Sequence, residues 1–495
     1  MAPPNQNRFP MKKHLFFAAL LVITALLNGC SFQEDWQGFD VTSYGGGERY
    51  NSFEENPFIV TAEQPVSTFG LDADGAAYSN MRRFLSDGTL PPKDAVRTEE
   101  LMNYFLYDYA EPIPDENIGI NGEVSGCPWN TQNRLIRIGV KGKTIAMPDL
   151  PPSNFVLLLD ISGSMDGENK LELLKEGLPY LVNTLRAQDR LAIVTYAGSS
   201  GVALASTPGN QKTVINNAIQ NLQAGGSTAG ADGINTAYEI AQQYFTEAGN
   251  NRVILATDGD FNVGITDPDE LVALIKEKRQ TGIYLSVWGV GTGNLNDAMM
   301  ERLADNGNGI YEYIDNLAQA RKVMEYEFNK FYPVAKDVKI QVTFNPEMVS
   351  SYRLIGYENR LINNTEFETD TTDTGDLSAG QTVTALYEIV PVICSACSGI
   401  PSFTINFRYK KPVTEENREL NLQITDAQTG FEQASENMRF AASVAAYGML
   451  LRKSDYKGTA SYEQVINWAQ NARTFDPYLW RSEFADLVNI AKNLP

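Results

Sequence analysis

Histidine is almost absent: the 495 residues include one, His14. It lies in an N-terminal stretch patterned as a removable leader, so by this reading the mature chain has none. Ser-His-Asp and Cys-His catalysis and histidine-ligated zinc are thereby excluded, whereas chemistry carried by carboxylates or by a metal is not. Cysteine is scarce as well, at four residues. Cys394 and Cys397 form C-S-A-C in a turn after V-T-A-L-Y-E-I-V-P rather than at a helix start, which argues against a redox pair. In an oxidising compartment they could close on each other, or one of them on Cys127. Basic residues are in deficit, 40 against 61 acids, for a net charge of −21. Nucleic acid and anionic lipid are poor partners for such a surface. There is no internal repeat and no long low-complexity tract.

The first ten residues hold three prolines and no periodic pattern, so translation is expected to start at Met11. Lys12 and Lys13 then precede an apolar stretch, Leu15 to Leu27. That stretch is shorter than the roughly 20 residues a membrane-spanning helix needs. Leu27-Asn28-Gly29-Cys30 resembles a bacterial lipobox, which implies a leader over 1–29, a lipidated Cys30 and a membrane anchor. Ser31 after that cysteine resembles the sorting pattern of outer-membrane lipoproteins. Residues 30–68 are polar and acidic, with Gly45-Gly46-Gly47, and are expected to form a flexible tether.

The strongest local pattern is Asn154 to Met165, N-F-V-L-L-L-D-I-S-G-S-M. Its continuous apolar run ending at Asp160 is what a parallel strand buried on both faces requires. Asp160, Ser162 and Ser164 then place oxygen side chains at alternate positions on a turn eased by Gly163. Hard oxygen donors at a strand's carboxyl end point to a divalent cation. Magnesium fits best, since it accepts few protein oxygens and keeps waters, with manganese or calcium as alternatives. An ordinary strand-to-helix turn capped by a serine would give the same short pattern.

From 151 to 330, strand and helix signals alternate. Strands are expected at 155–160, 190–197, 202–206, 252–257, 283–290 and 310–314. Leu171, Leu174, Leu178, Leu181 and Leu185 mark one helical stripe, with a kink expected near Gly177 and Pro179. The fold class is therefore α/β, a doubly wound, mostly parallel sheet whose ligands bind at the strands' carboxyl ends. Residues 69–150 form an N-terminal region with two short helices around Pro91-Pro92, packing aromatics Tyr104, Phe105, Tyr107 and Tyr109, and a strand at 134–140. Residues 331–495 are β-rich, at 338–344, 383–390, 403–409 and 419–424, then helical near 439–453, 461–472 and 479–493. The acidic loop with Glu366, Glu368, Asp370, Asp373 and Asp376 reads as solvated.

Two further stretches bear on the D-x-S-x-S turn: Gly225 to Thr228 (G-G-S-T), and Arg252 to Gly259 (R-V-I-L-A-T-D-G), a second buried-strand run ending at Asp258. In order and spacing the three resemble the metal-ion-dependent adhesion site of von Willebrand factor type A domains. The resemblance implies Ser162, Ser164 and Thr228 as direct ligands, with Asp160 and Asp258 holding the ion directly or through water. The flanking S-N-M-R-R-F-L-S-D-G-T-L-P-P-K-D-A-V-R-T-E-E-L-M-N-Y-F, T-V-T-A-L-Y-E-I-V-P and Y-G-M-L-L-R-K-S-D-Y-K-G resemble a bacterial family of envelope lipoproteins in which such a domain is embedded. Gln381 departs from it, standing where that family often carries histidine. The implied function is non-enzymatic: metal-dependent binding of a protein partner, through a carboxylate, at the cell envelope. Two other readings stay open. One is a structural protein stabilised by its metal; the other is a magnesium-dependent hydrolase, for which Asp160 or Asp258 would have to serve as base.

Overall fold

The computed structural model describes residue 1 and residues 41–44, 47–71, 74–197, 199–225, 231–259, 267–370, 372, 374–393 and 399–495. Cys30, Thr228, Asp373, Cys394 and Cys397 lie outside them. The strand Ser153–Asp160 is buried along its whole length. It pairs in parallel with Asn250–Thr257 on one side and Arg190–Ala197 on the other. Tyr284–Val290 and Tyr311–Ile314 extend the sheet in parallel beyond Asn250–Thr257. Ser199–Pro208 closes the opposite edge antiparallel to Arg190–Ala197. The chain builds outward on one side of its first strand, then crosses back to build on the other. The carboxyl ends of Ser153–Asp160 and Asn250–Thr257 therefore flank the topological switch point, where doubly wound sheets open a crevice.

Alternation along the central strand divides the core. Phe155, Leu157 and Leu159 face the helix Leu171–Thr184, meeting Leu174, Leu178 and Leu181 together with Phe328 and Phe331. Val156 and Leu158 face Ile234, Ala237, Leu271 and Ile275 on the other side. Each such side chain contributes about 1.5–3 kcal/mol by leaving water. The expected interruption of the first helix does not end it: Leu171–Thr184 continues through Gly177 and Pro179. Gly177 has a packing reason, since a Cβ there would meet the Ala320 Cβ at 2.7 Å.

The N- and C-terminal regions fold into one another. Arg134–Gly142 pairs with Thr382–Pro391, and Val66–Gly70 pairs with Pro333–Phe344, both antiparallel. Two five-stranded antiparallel sheets result. They share a core that includes Phe69, Ile136, Ile138, Ile340, Tyr387 and Phe407. Beside it, Tyr78, Tyr104 and Phe105 pack with Phe440, Tyr447 and Phe484 of the C-terminal helices Glu436–Arg452 and Trp480–Lys492.

The expected tether over 30–68 is corrected from Val41 onward. Val41–Ser43 pairs with Arg49–Asn51, and Tyr50 is fully buried. The Glu48 carboxylate receives both terminal nitrogens of Arg83, at 3.0 and 2.9 Å. A polar composition indicates solvation only where its charges lack a buried counterpart, and here Arg83 supplies one. The acidic loop is likewise partly committed internally: Asp370 pairs with Arg408 at 2.6 Å, and Glu366 accepts from the Asn363 amide.

Candidate metal centre

Asp160 ends the central strand with both carboxylate oxygens already engaged. Oδ1 accepts the Ser162 amide at 2.9 Å, and Oδ2 accepts the Thr257 hydroxyl at 3.2 Å. The first bond folds the turn back over the strand end, and the second ties that turn to the neighbouring strand. Ser162 and Ser164 thus come together, their hydroxyls 3.0 Å apart, with Ser162 buried and Ser164 open to solvent. Asp258, at the end of Asn250–Thr257, is fully buried and faces the same point. The Gly259 amide donates to the Thr257 hydroxyl at 3.2 Å, fixing the start of the next loop. Gly259 has φ +110°, and a Cβ there would meet Asn294 O and Asn296 N at 2.6 Å, so glycine is required twice over.

The two acids differ in their surroundings. Burial raises the Asp160 carboxyl, and the neighbouring Asp258 charge adds to this against the opposing Ser162 bonds. Burial also pushes Asp258 up, but the Lys170 ammonium, Asn294 and Ser164 outweigh it and hold that carboxyl below the usual range. Lys170 donates to Asp258 Oδ2 at 2.8 Å and to the Ser164 carbonyl at 2.9 Å. The loop that leads to Thr228 departs from the same place, since the Gly225 amide donates to the Ile161 carbonyl at 2.8 Å.

Four of the five expected ligands, Asp160, Ser162, Ser164 and Asp258, are thus brought to one crevice. Family comparisons agree with this architecture. Residues 154–325 match the von Willebrand factor type A domain, residues 45–137 match a family described as von Willebrand factor, and 329–399 and 396–494 match one described as uncharacterized protein YfbK, C-terminal. The Escherichia coli (strain K12) protein YfbK is 42% identical over 476 residues, covering 90% of this chain and 81% of that protein. The chain belongs to the YfbK family.

Other relatives share less with this YfbK-family chain. An uncharacterized Synechocystis protein is 28% identical over 218 residues, 44% of this chain and 49% of its own length. Human inter-alpha-trypsin inhibitor heavy chain H3 is 29% identical over 180 residues, 33% of this chain and 20% of its own. The chain therefore spans less than half of both. A solved von Willebrand factor type A structure from Catenulispora acidiphila aligns with a TM-score of 0.44 at 15% identity, covering 78% of this chain and 91% of that one.

The donor set of this YfbK-family chain fits a hard divalent cation. Two buried carboxylates and two hydroxyls supply oxygen alone, and two anions in one desolvated crevice call for positive charge. Among the described residues no group of three or more carboxylate, histidine or cysteine side chains is arranged to hold a metal ion, and at this crevice the Ser162 and Ser164 hydroxyls stand beside the two carboxylates. Sequence reasoning passed over Lys170, which has no motif of its own. It also passed over an N-terminal grip: Glu48 accepts the Gly293 amide at 3.1 Å, and the Arg49 amide donates to Leu295 O at 2.9 Å. Of the residues gripped, Leu295 abuts Gly259, and Gly293 directly precedes Asn294, which abuts it too.

Proposed function

We propose that this chain is a non-enzymatic binding protein of the bacterial envelope that engages a protein partner through a magnesium-dependent adhesion site. Ser162, Ser164 and Thr228 would hold the ion, with Asp160 and Asp258 directly or through water. The bound ion would supply a local positive charge and an open position for a carboxylate of the partner. The observation that carries this reading is the meeting of Asp160, Ser162, Ser164 and Asp258 at the switch point, with Ser164 reaching solvent. Binding is favoured over hydrolysis because both oxygens of Asp160 are committed to Ser162 and Thr257, leaving it poorly placed to activate water. Lipidation of Cys30 would anchor the protein, in the outer membrane by the Ser31 pattern. Among the described residues no helix is long and apolar enough to cross a membrane.

The test is capture from envelope extract by the full chain in Mg²⁺, in EDTA, and as Ser164→Ala in Mg²⁺, with metal binding measured directly on each bait. A partner held only by the wild-type protein in Mg²⁺, and a weaker Mg²⁺ affinity of Ser164→Ala, are expected. Capture indifferent to all three conditions would assign binding to the flanking regions instead. A bound ion would also raise stability by about 2.7 kcal/mol at a hundredfold excess over Kd.

A further inference from the structure

One side chain at the centre is not an oxygen donor. Lys170 precedes the helix Leu171–Thr184, and its side chain is 14% exposed. Its ammonium bridges the Ser164 carbonyl and the Asp258 carboxylate, at 2.9 and 2.8 Å. Its aliphatic arm runs over Gly291, whose φ is +76°; a Cβ at that position would come within 2.5 Å of the Lys170 Cε. The Tyr313 hydroxyl donates to the Gly291 carbonyl at 2.6 Å and fixes that floor. The lysine therefore lies in a channel that glycine alone leaves open, joining the first loop, the third loop and the residues after Tyr284–Val290.

We propose that Lys170 is a resident counter-cation that weakens divalent binding at Asp258 and leaves the loaded centre net positive, so that the partner completes it with an anion. The inference rests on the metal-dependent reading above and adds its tuning. Asp160 and Asp258 together carry two negative charges, which a divalent ion alone would cancel. With Lys170 in place one positive charge remains. On a chain of net charge −21 that residue of charge is a local attraction for an acidic side chain. It also means that a divalent ion must share Asp258 with an ammonium already there.

The experiment is Mn²⁺ binding to the full chain in detergent, followed by electron paramagnetic resonance, for the wild type, Lys170→Met and Lys170→Arg. Lys170→Met keeps the arm over Gly291 and removes the charge. It is expected to bind Mn²⁺ at least about tenfold more tightly, while Lys170→Arg, which keeps the charge, shows no such gain. Losing a lysine that merely held the loops together would weaken binding, so the direction separates the two roles. Unchanged or weaker affinity in a folded Lys170→Met overturns the proposal, folding being checked by thermal unfolding in EDTA. If that variant does not fold, Lys170→Gln decides by the same criterion. Wild-type binding without a gain on charge removal defeats this proposal alone. Absence of Mn²⁺ binding in wild type and variant alike defeats the metal reading and this proposal with it.

Discussion

At the scale of single residues, the cost of burying charge concentrates at the candidate centre. Asp160 is buried beside a second carboxylate, and its raised pKa records that penalty. Asp160→Asn removes the charge, keeps an oxygen for the Ser162 amide and offers Thr257 an amide in place of the other. In EDTA this variant is expected to melt at the wild-type temperature or a few degrees above it. Its stabilisation by Mg²⁺ should vanish. Scanning calorimetry with and without the ion decides this, and a Mg²⁺ shift of wild-type size would remove Asp160 from the centre. The residues of this site were legible unequally. Asp160, Ser162 and Ser164 announce themselves by their spacing after an apolar run. Lys170 does not, because nothing in a sequence marks a lysine whose partner, Asp258, lies 88 positions further on.

At the scale of elements, the helix Asp297–Asn306 connects the crevice to the N-terminal region. Asp297 lies one residue beyond Asn296, whose amide abuts Gly259. It bonds Arg97 at 2.5 Å, and Glu301 stands 3.7 Å from both Arg97 and Arg360. Arg97 also pairs with Glu100, and Arg360 with Asp305 at 2.7 Å. Four carboxylates thus share two guanidinium groups, and the excess favours keeping one proton. Burial, with Asp305 and Glu100 adding to it against the two arginines, pushes Glu301 up to about 8 from 4.5. A carboxyl whose folded pKa is raised stabilises the fold below its unfolded pKa, and that contribution is lost as pH rises through the folded value. Stability is therefore expected to fall between pH 4.5 and about 8, and Glu301→Gln should flatten that slope. Urea midpoints across the range measure it; an identical slope in the variant would place the proton elsewhere. The helical stripe of Leu171, Leu174, Leu178 and Leu181 was legible because periodicity reports burial directly. The ordering of residues 41–44 and 47–51 was not, because Glu48 and Tyr50 are buried by Arg83 and Asn80.

At the scale of the whole molecule, Arg82 fastens the embedded α/β domain to both flanks. Its guanidinium holds Asp315 at 2.7 and 2.8 Å, Glu483 at 3.0 Å and Gln319 and Tyr104 at 3.0 Å. It lies in the N-terminal helix Ala76–Ser86, while Asp315 follows the last strand of the domain and Glu483 lies in the C-terminal helix Trp480–Lys492. Arg82→Ala leaves Asp315 buried without its cation and should cost about 3–5 kcal/mol. Urea unfolding at fixed pH reads this, and a loss under 1 kcal/mol would mean that the flanks dock by apolar contact alone. By itself the sequence determined the α/β class, the buried strands at 155–160 and 252–257 and the carboxylates Asp160 and Asp258 at their ends, because periodicity and spacing are local properties of the chain. Only the tertiary structure decided that N- and C-terminal strands share sheets, that residues 47–51 are docked, and that Lys170 sits on Asp258. Those outcomes depend on which charges and apolar faces meet across hundreds of residues, and no local pattern carries that information.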